Sequence, residues 1–195
     1  MDNRIITKSN PTLFDKEVLK MQNALASLPW LNIIYGNTEL LTDVKNGRRF
    51  TFAGHYIGNG QYTQIAPCAE LGNFCFFVIK DPQEVRNRYI VRAPFSLILW
   101  YDMRTIGLPM DERDCEQVKS QILNALSGAM GANFSIDRIY KDPKNVFADY
   151  SYEHTNNQFL MSPYAGIRID GTIATRVPCM LGGSFNDSFN DSFDK

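Results

Sequence analysis

Histidine is nearly missing from this sequence. His55 and His154 are the only two in 195 residues, which leaves little for chemistry that needs several imidazoles. A zinc site built from His55, Cys68 and Cys75 would have ligand spacings of 13 and 7, matching none of the short-knuckle patterns. Cysteine is scarce as well. Cys68, Cys75, Cys115 and Cys179 are too few and too irregular for a disulfide scaffold. An excess of either charge is also absent: 20 Lys and Arg face 21 Asp and Glu, a net charge of -1. That balance argues against a protein that coats nucleic acid through a basic surface. No apolar run approaches the length of a membrane span. The longest, Phe74–Ile79 and Leu97–Tyr101, are the size of strands.

Targeting and catalytic signatures are missing too. The opening MDNRIITKSNP has no apolar core and no small-residue cleavage site. The expectation is therefore a cytosolic chain with reduced thiols, in which the sequons at Asn133, Asn186 and Asn190 are empty. No Gly-x-Ser-x-Gly, His-Glu-x-x-His or phosphate-loop motif occurs. Gly54, Gly58 and Gly60 do not fit the dinucleotide pattern, and the residues after them read as strand rather than helix. No cofactor is expected.

What is present is a core. Hydrophobic residues make up 44% and aromatics 12%, too apolar for a disordered chain. The length suits one domain, which can bury roughly 70% of its unfolded surface. Phe14, Val18, Met21, Leu25 and Leu28 recur at helical spacing. Asn10 is the candidate cap of that helix, Pro11 its first residue and Pro29 its stop. From Trp30 to about residue 105 the pattern is β. Trp30–Tyr35 ends at Gly36-Asn37, and Phe50 and Phe52 alternate with polar neighbours. His55–Ile65 holds the turn Gly58-Asn59-Gly60, and Phe74–Ile79 and Pro94–Tyr101 read as central strands.

A second helix is predicted over 111–127. Asp111 is its cap, Asp114 lies in its first turn, and Cys115, Val118, Ile122, Ala125 and Leu126 form its buried face. Gly128 is the left-handed residue expected at its end. Phe134–Tyr140 follows, then a long loop over 141–162. The last strand places Ile167, Ile169 and Ile173 on one face and Arg168, Asp170 and Thr172 on the other. The fold class is α+β: a mostly antiparallel sheet with two helices packed on one face. An N-terminal arm (1–11) precedes the domain (12–181), and a tail (182–195) follows it.

The tail is a tandem repeat, Ser184-Phe-Asn-Asp, Ser188-Phe-Asn-Asp, Ser192-Phe-Asp-Lys. It has no core of its own. Phe185, Phe189 and Phe193 fall on one face of a helix and are candidate partner-binding residues, docking on another chain. Arg48 and Arg49, beside Asn46-Gly47, are candidate contacts to phosphate or to an acidic partner. A turn followed by a solvated strand face is the other reading of that pair. Cys68, after Pro67 in a loop, and His55 form the one nucleophile-and-base pair to be considered.

The order of elements resembles the tail-terminator and head-tail connector proteins of tailed bacteriophages. The segments that carry it are Ser96–Tyr101, the 111–127 helix, Ile136–Tyr140 and Tyr164–Gly171. The Asn- and Tyr-rich style is similar to that of crAss-like phages. The resemblance implies a tail-terminator-like fold, no catalysis, and a virion protein assembled in the host bacterial cytoplasm. It implies a homo-oligomeric ring in the phage neck or tail. The partners would be portal, neck or tail proteins, around a channel that DNA passes without specific binding, with no membrane. The N-terminal arm, the 141–162 loop and the tail are the segments expected to reach a neighbour. Two alternatives remain: another capsid- or tail-assembly factor of a phage, or a small cytosolic enzyme or ligand-binding domain using Cys68 and His55.

Overall fold

The structure, a computed structural model, describes residues 4–8, 11–45, 47–68, 70–86, 90–107, 116–151 and 157–177. The elements in chain order are β1 (Arg4–Ile6), α1 (Phe14–Leu25), β2 (Ile33–Asn37), β3 (Glu39–Lys45), β4 (Arg48–Gly58) and β5 (Gln61–Ile65). After them come β6 (Phe74–Ile79), β7 (Glu84–Arg86), β8 (Ile90–Asp102), α2 (Met103–Ile106), α3 (Glu116–Ser127), β9 (Phe134–Tyr140), α4 (Pro143–Val146) and β10 (Tyr164–Arg176). A single 3-10 turn, Asn157–Leu160, precedes β10.

The fold is α+β and mainly antiparallel. The main sheet runs β1-β2-β6-β8-β10-β9. Its long strand β8 pairs with β6 at residues 95–100 and with β7 at 90–92. Its other side pairs with β10 over all 13 residues. Two pairings are parallel, β1 with β2 and β2 with β6. Parallel neighbours need a crossover. Helix α1 supplies the first, and the separate three-stranded sheet β3-β4-β5 lies within the second.

Both faces of the main sheet are covered. Helices α1 and α3 share one core with Ile34, Phe77, Leu97, Leu99, Ile167 and Ile169. On α1 the predicted stripe is the buried stripe: Val18, Met21 and Leu25 are at most 1% exposed. Each such side chain contributes about 1.5–3 kcal/mol by leaving water. Gln22 is buried beside them and donates from Nε2 to the carbonyls of Ile6 and Ile34, which fastens β1 and β2 to the helix. The opposite face packs Phe74, Phe76, Ile98 and Trp100 against Ala53, Ile65, Val146, Phe147 and Phe159.

Several expectations are corrected. Helix α1 begins at Phe14, so Pro11 is not its first residue; Thr12 N–H donates instead to the Asp15 carboxylate at 3.3 Å. The helix ends at Leu25, short of Pro29, and Leu28 is buried in the turn that follows. Gly36 and Asn37 belong to β2 rather than to a break. Gly128 is not the left-handed residue after α3. The chain tightens there through Gly128 N–H to Ala125 O and Ala129 N–H to Leu126 O, and the positive φ (74°) falls at Gly131. Asn10, Asp111, Asp114, Cys115 and Cys179 lie outside the described residues.

The described parts of two segments expected to reach a neighbour pack on their own domain. Arg4–Ile6 of the N-terminal arm is an edge strand paired with β2. In the 141–162 loop, Val146, Phe147 and Phe159 are buried, because three apolar side chains among polar neighbours find a ready aromatic surface on β6 and β8.

Candidate functional site

The sheet β3-β4-β5 stands apart from the main sheet. Its two turns follow from glycine. Gly47 turns β3 into β4 at φ 76°, and Gly58, Asn59 and Gly60 turn β4 into β5 with three successive positive φ values. Leu41 packs over Gly54, where a Cβ would collide with it. Tyr56 and Tyr62 meet across the hairpin with centroids 5.2 Å apart, and the Tyr62 hydroxyl donates to Glu39 at 2.7 Å. The sheet is nonetheless rich in exposed apolar groups: Leu40 is 50%, Val44 60% and Ile57 57% exposed. Among the described residues β3 pairs only with β4, and β5 only with β4. Each therefore offers an open edge. Arg48 and Arg49 are exposed beside the Gly47 turn, as the solvated-strand reading expects.

Where β5 ends, the chain from 147 to 151 takes its place beside β4. Ser151 N–H donates to Thr51 O at 2.8 Å, and Thr51 N–H to Ser151 Oγ at 3.1 Å. Between this strap, β5 and the main sheet lies a cavity of about 570 Å³. Its floor is Phe74 and Phe76 of β6, and Phe147, Tyr150 and Phe159 wall one side. Thr51, Ile65, Pro67 and Cys68 close the other, and exposed Glu70 also lines it. Tyr150 stands edge-on to both Phe76 and Phe147. Burial, and then the charge of Asp149 beside it, push the Tyr150 phenol well above its ordinary value, so it stays neutral. The cavity suits an apolar or aromatic group, with a thiol and a phenol on its wall.

His55 and Cys68 are not joined as base and nucleophile. His55 is buried on β4 with its ring 5.5 Å from that of Tyr35, and its Nδ1 has no hydrogen-bond partner among the described residues. No hydrogen bond connects it to Cys68, which instead acts electrostatically on Tyr35. Cys75 lies fully buried on the helix-covered face, across the sheet from both, so the three do not gather into a metal site. Among the described residues no group of three or more His, Cys, Asp or Glu is placed to hold a metal ion.

Burial, and then the positive charge of Lys8, hold the His55 imidazole below its ordinary value. An unfolded chain takes up that proton near pH ~6.5 and the folded chain resists. Stability from this group is thus complete above about pH 6.5 and declines as pH falls from there through the folded-state value. Thermal melts of wild type and His55→Leu between about pH 8 and pH 5 should show a shallower decline in the variant. Parallel curves would show that His55 does not set the slope.

The alternation of β10 places Arg168 but does not reveal its burial. It lies on the face opposite Ile167 and Ile169, as the alternation of β10 predicts, and is 6% exposed. Its guanidinium binds Asp170 at 2.7 Å and Asp149 at 3.1 Å, and lies over the Tyr140 ring. Ser96 completes the cluster, donating to Asp170 at 2.5 Å. The signal available was the Arg-x-Asp alternation itself, which places both side chains on one face of β10. Phe185, Phe189, Phe193 and His154 lie outside the described residues. No helix among the described residues is long and apolar enough to cross a membrane. No protein-family model matches the chain, and no curated protein matches it either.

Proposed function

We propose that this chain is a structural subunit that closes into a homo-oligomeric ring, in the neck or tail of a bacteriophage virion, where it joins head to tail around the DNA channel. The observation that carries this reading is the sheet β3-β4-β5, with Leu40, Val44 and Ile57 exposed and two strand edges open. Ala53 and Ile65 of this sheet serve the chain's own core, but its exposed apolar groups and open edges do not, whereas a neighbour can bury those groups and add a strand to the edge. Contacts of this kind join two different surfaces and close by rotation into a ring. The near-zero net charge supports the same reading, because a channel wall that bound phosphate would retard DNA.

Native mass spectrometry of the full chain tests it. The expected species is a discrete multiple of 22.2 kDa, formed by the chain alone or on addition of its neck partner. Leu40→Lys with Val44→Lys should return it to the monomer, since both side chains are already in water and the fold does not depend on them. A chain that stays monomeric at every concentration, and never enters particles, overturns the reading.

A further inference from the structure

We propose that two copies of this chain join through β3, strand to strand and antiparallel, about a two-fold axis at Thr42. The contact stands on its own geometry and does not require the ring. In the ring reading it makes a pair of chains the building unit, and it leaves Ile57 and the β5 edge to join one pair to the next.

The backbone of β3 is set for such a partner. Thr42 lies opposite Thr51 in the β3-β4 ladder. Thr51 N–H donates to Ser151 Oγ, and Thr51 C=O accepts from Ser151 N–H, both on the side of β4 away from β3. Residues opposite each other in an antiparallel ladder either exchange both their bonds or turn both sets of groups away. Thr42 therefore turns its N–H and C=O to the open edge. Leu40 and Val44, two positions to either side, do the same. Two further bonds agree. Thr38 N–H leaves β4 for the Phe77 carbonyl, and Val44 N–H donates to the carboxylate of its neighbour Asp43, at 2.7 Å.

The sequence of the strand selects the partner. It reads Glu39-Leu-Leu-Thr-Asp-Val-Lys45. Reversed on itself about Thr42, it sets Glu39 opposite Lys45 and Leu40 opposite Val44, at both ends of the contact. Thr42 meets Thr42, and every residue of β3 has a counterpart. The outward groups of Leu40, Thr42 and Val44 fall in the pairs that exchange hydrogen bonds, and the Leu40 carbonyl of the second copy replaces Asp43 at Val44 N–H. Leu40 and Val44, both exposed in the single chain, become cross-strand neighbours on one face. Other registers are opposed. Sliding the second strand by two residues one way sets Glu39 against Asp43, and the other way sets Asp43 against Asp43. Like charges directly opposite are destabilising. This self-complementarity names a second copy, rather than an unrelated strand, as the occupant of the edge.

A charge exchange tests it. Glu39→Lys and Lys45→Glu are made in separate copies of the full chain, and native mass spectrometry follows each alone and the two mixed. Alone, each variant sets like charges together at both ends of the contact, and its dissociation constant should rise about tenfold or more. Mixed, each end carries opposite charges again, so mixed pairs should form with the affinity of the wild type. Glu39→Lys also loses the bond from the Tyr62 hydroxyl, so recovery in the mixture, rather than loss alone, is the readout. Thr42→Cys supplies a second. The two substituted positions stand about 5.5 Å apart at their Cα atoms, within disulfide range, and oxidation should link two chains there, as peptide mapping shows. Unchanged association of either variant, a mixture that recovers nothing, or no link at position 42 overturns the proposal. A discrete oligomer that persists in any of those cases leaves the ring reading intact. A wild-type chain that stays monomeric at every concentration overturns the proposal, and one that also never enters particles overturns the ring reading too.

Discussion

Arg168→Ala is expected to destabilise the fold by about 3 kcal/mol, seen as a lower midpoint in denaturant with an unchanged slope. Its guanidinium sits inside the domain, bound to Asp170 on its own strand and to Asp149 on the strap, and it donates to the carbonyl of Asn145. Removing it leaves the Asp170 carboxylate, itself half-buried, without its countercharge. It also unties the strap from β10. Arg168→Lys should recover only part of the loss, because an ammonium cannot grip Asp170 through two nitrogens as the guanidinium does. The cluster also sets an acid limit. Burial tends to raise the Asp170 carboxyl, but hydrogen bonds from Arg168 and Ser96, with the Arg168 charge, bring it below its ordinary value. Its contribution is complete above the unfolded value near pH ~3.9 and is lost as pH falls through the lower, folded one. That window lies well below the one His55 governs, so the two are separable in one titration. A variant as stable as wild type would show that the cluster is dispensable.

The second large effect is at Gly171. This residue sits between β8 and β9, opposite Phe95 and Ile136, where the register of β9 shifts. A Cβ there would collide with the Ser135 carbonyl and lie 2.8 Å from Phe95 Cε1. The first of these is backbone and cannot rotate away. Gly171→Val should therefore push β9 off the sheet or displace Phe95 from the core, at about 3 kcal/mol. Amide exchange along Phe134–Tyr140 is the informative measurement, since release of the edge strand accelerates it there first. Unaltered protection along β9 would mean that the strand tolerates the side chain. Gly54→Ala makes a useful contrast: the atom it meets is the end of the Leu41 side chain, which can turn aside.

The elements that could be read from the sequence are those whose pattern and packing agree. Phe74–Ile79 is apolar on both faces because both faces are covered. The stripe on α1 and the isoleucines of β10 lie where the period of each element places them. Strand β3 was harder, because Leu40 and Val44 point into solvent while Leu41 turns inward over Gly54, so its alternation says nothing about a core. Strand β7 is exposed throughout and, among the described residues, pairs only with β8. The face of Arg168 was legible but its burial was not, because burial of a charge depends on partners brought from elsewhere, here Asp149 nineteen positions away. The cavity shows the same limit. Cys68 and Arg49 were visible as residues, but the walls come from β4, β5, β6 and the strap, whose meeting no local pattern encodes.

Strand β10 also has a consequence in time. It joins β8 to β9 and makes more of the main sheet's pairings than any strand but β8. Yet the ribosome makes it after all the other strands of that sheet. Until Tyr164–Arg176 emerges, β8 is unsealed on one side and β9 has no partner, so a nascent chain stalled before this point exposes Leu97, Leu99 and Trp100 to whatever else is folding nearby. The main sheet thus closes only when its last strand is made, and quality control meets the domain either as an open sheet or as a finished one.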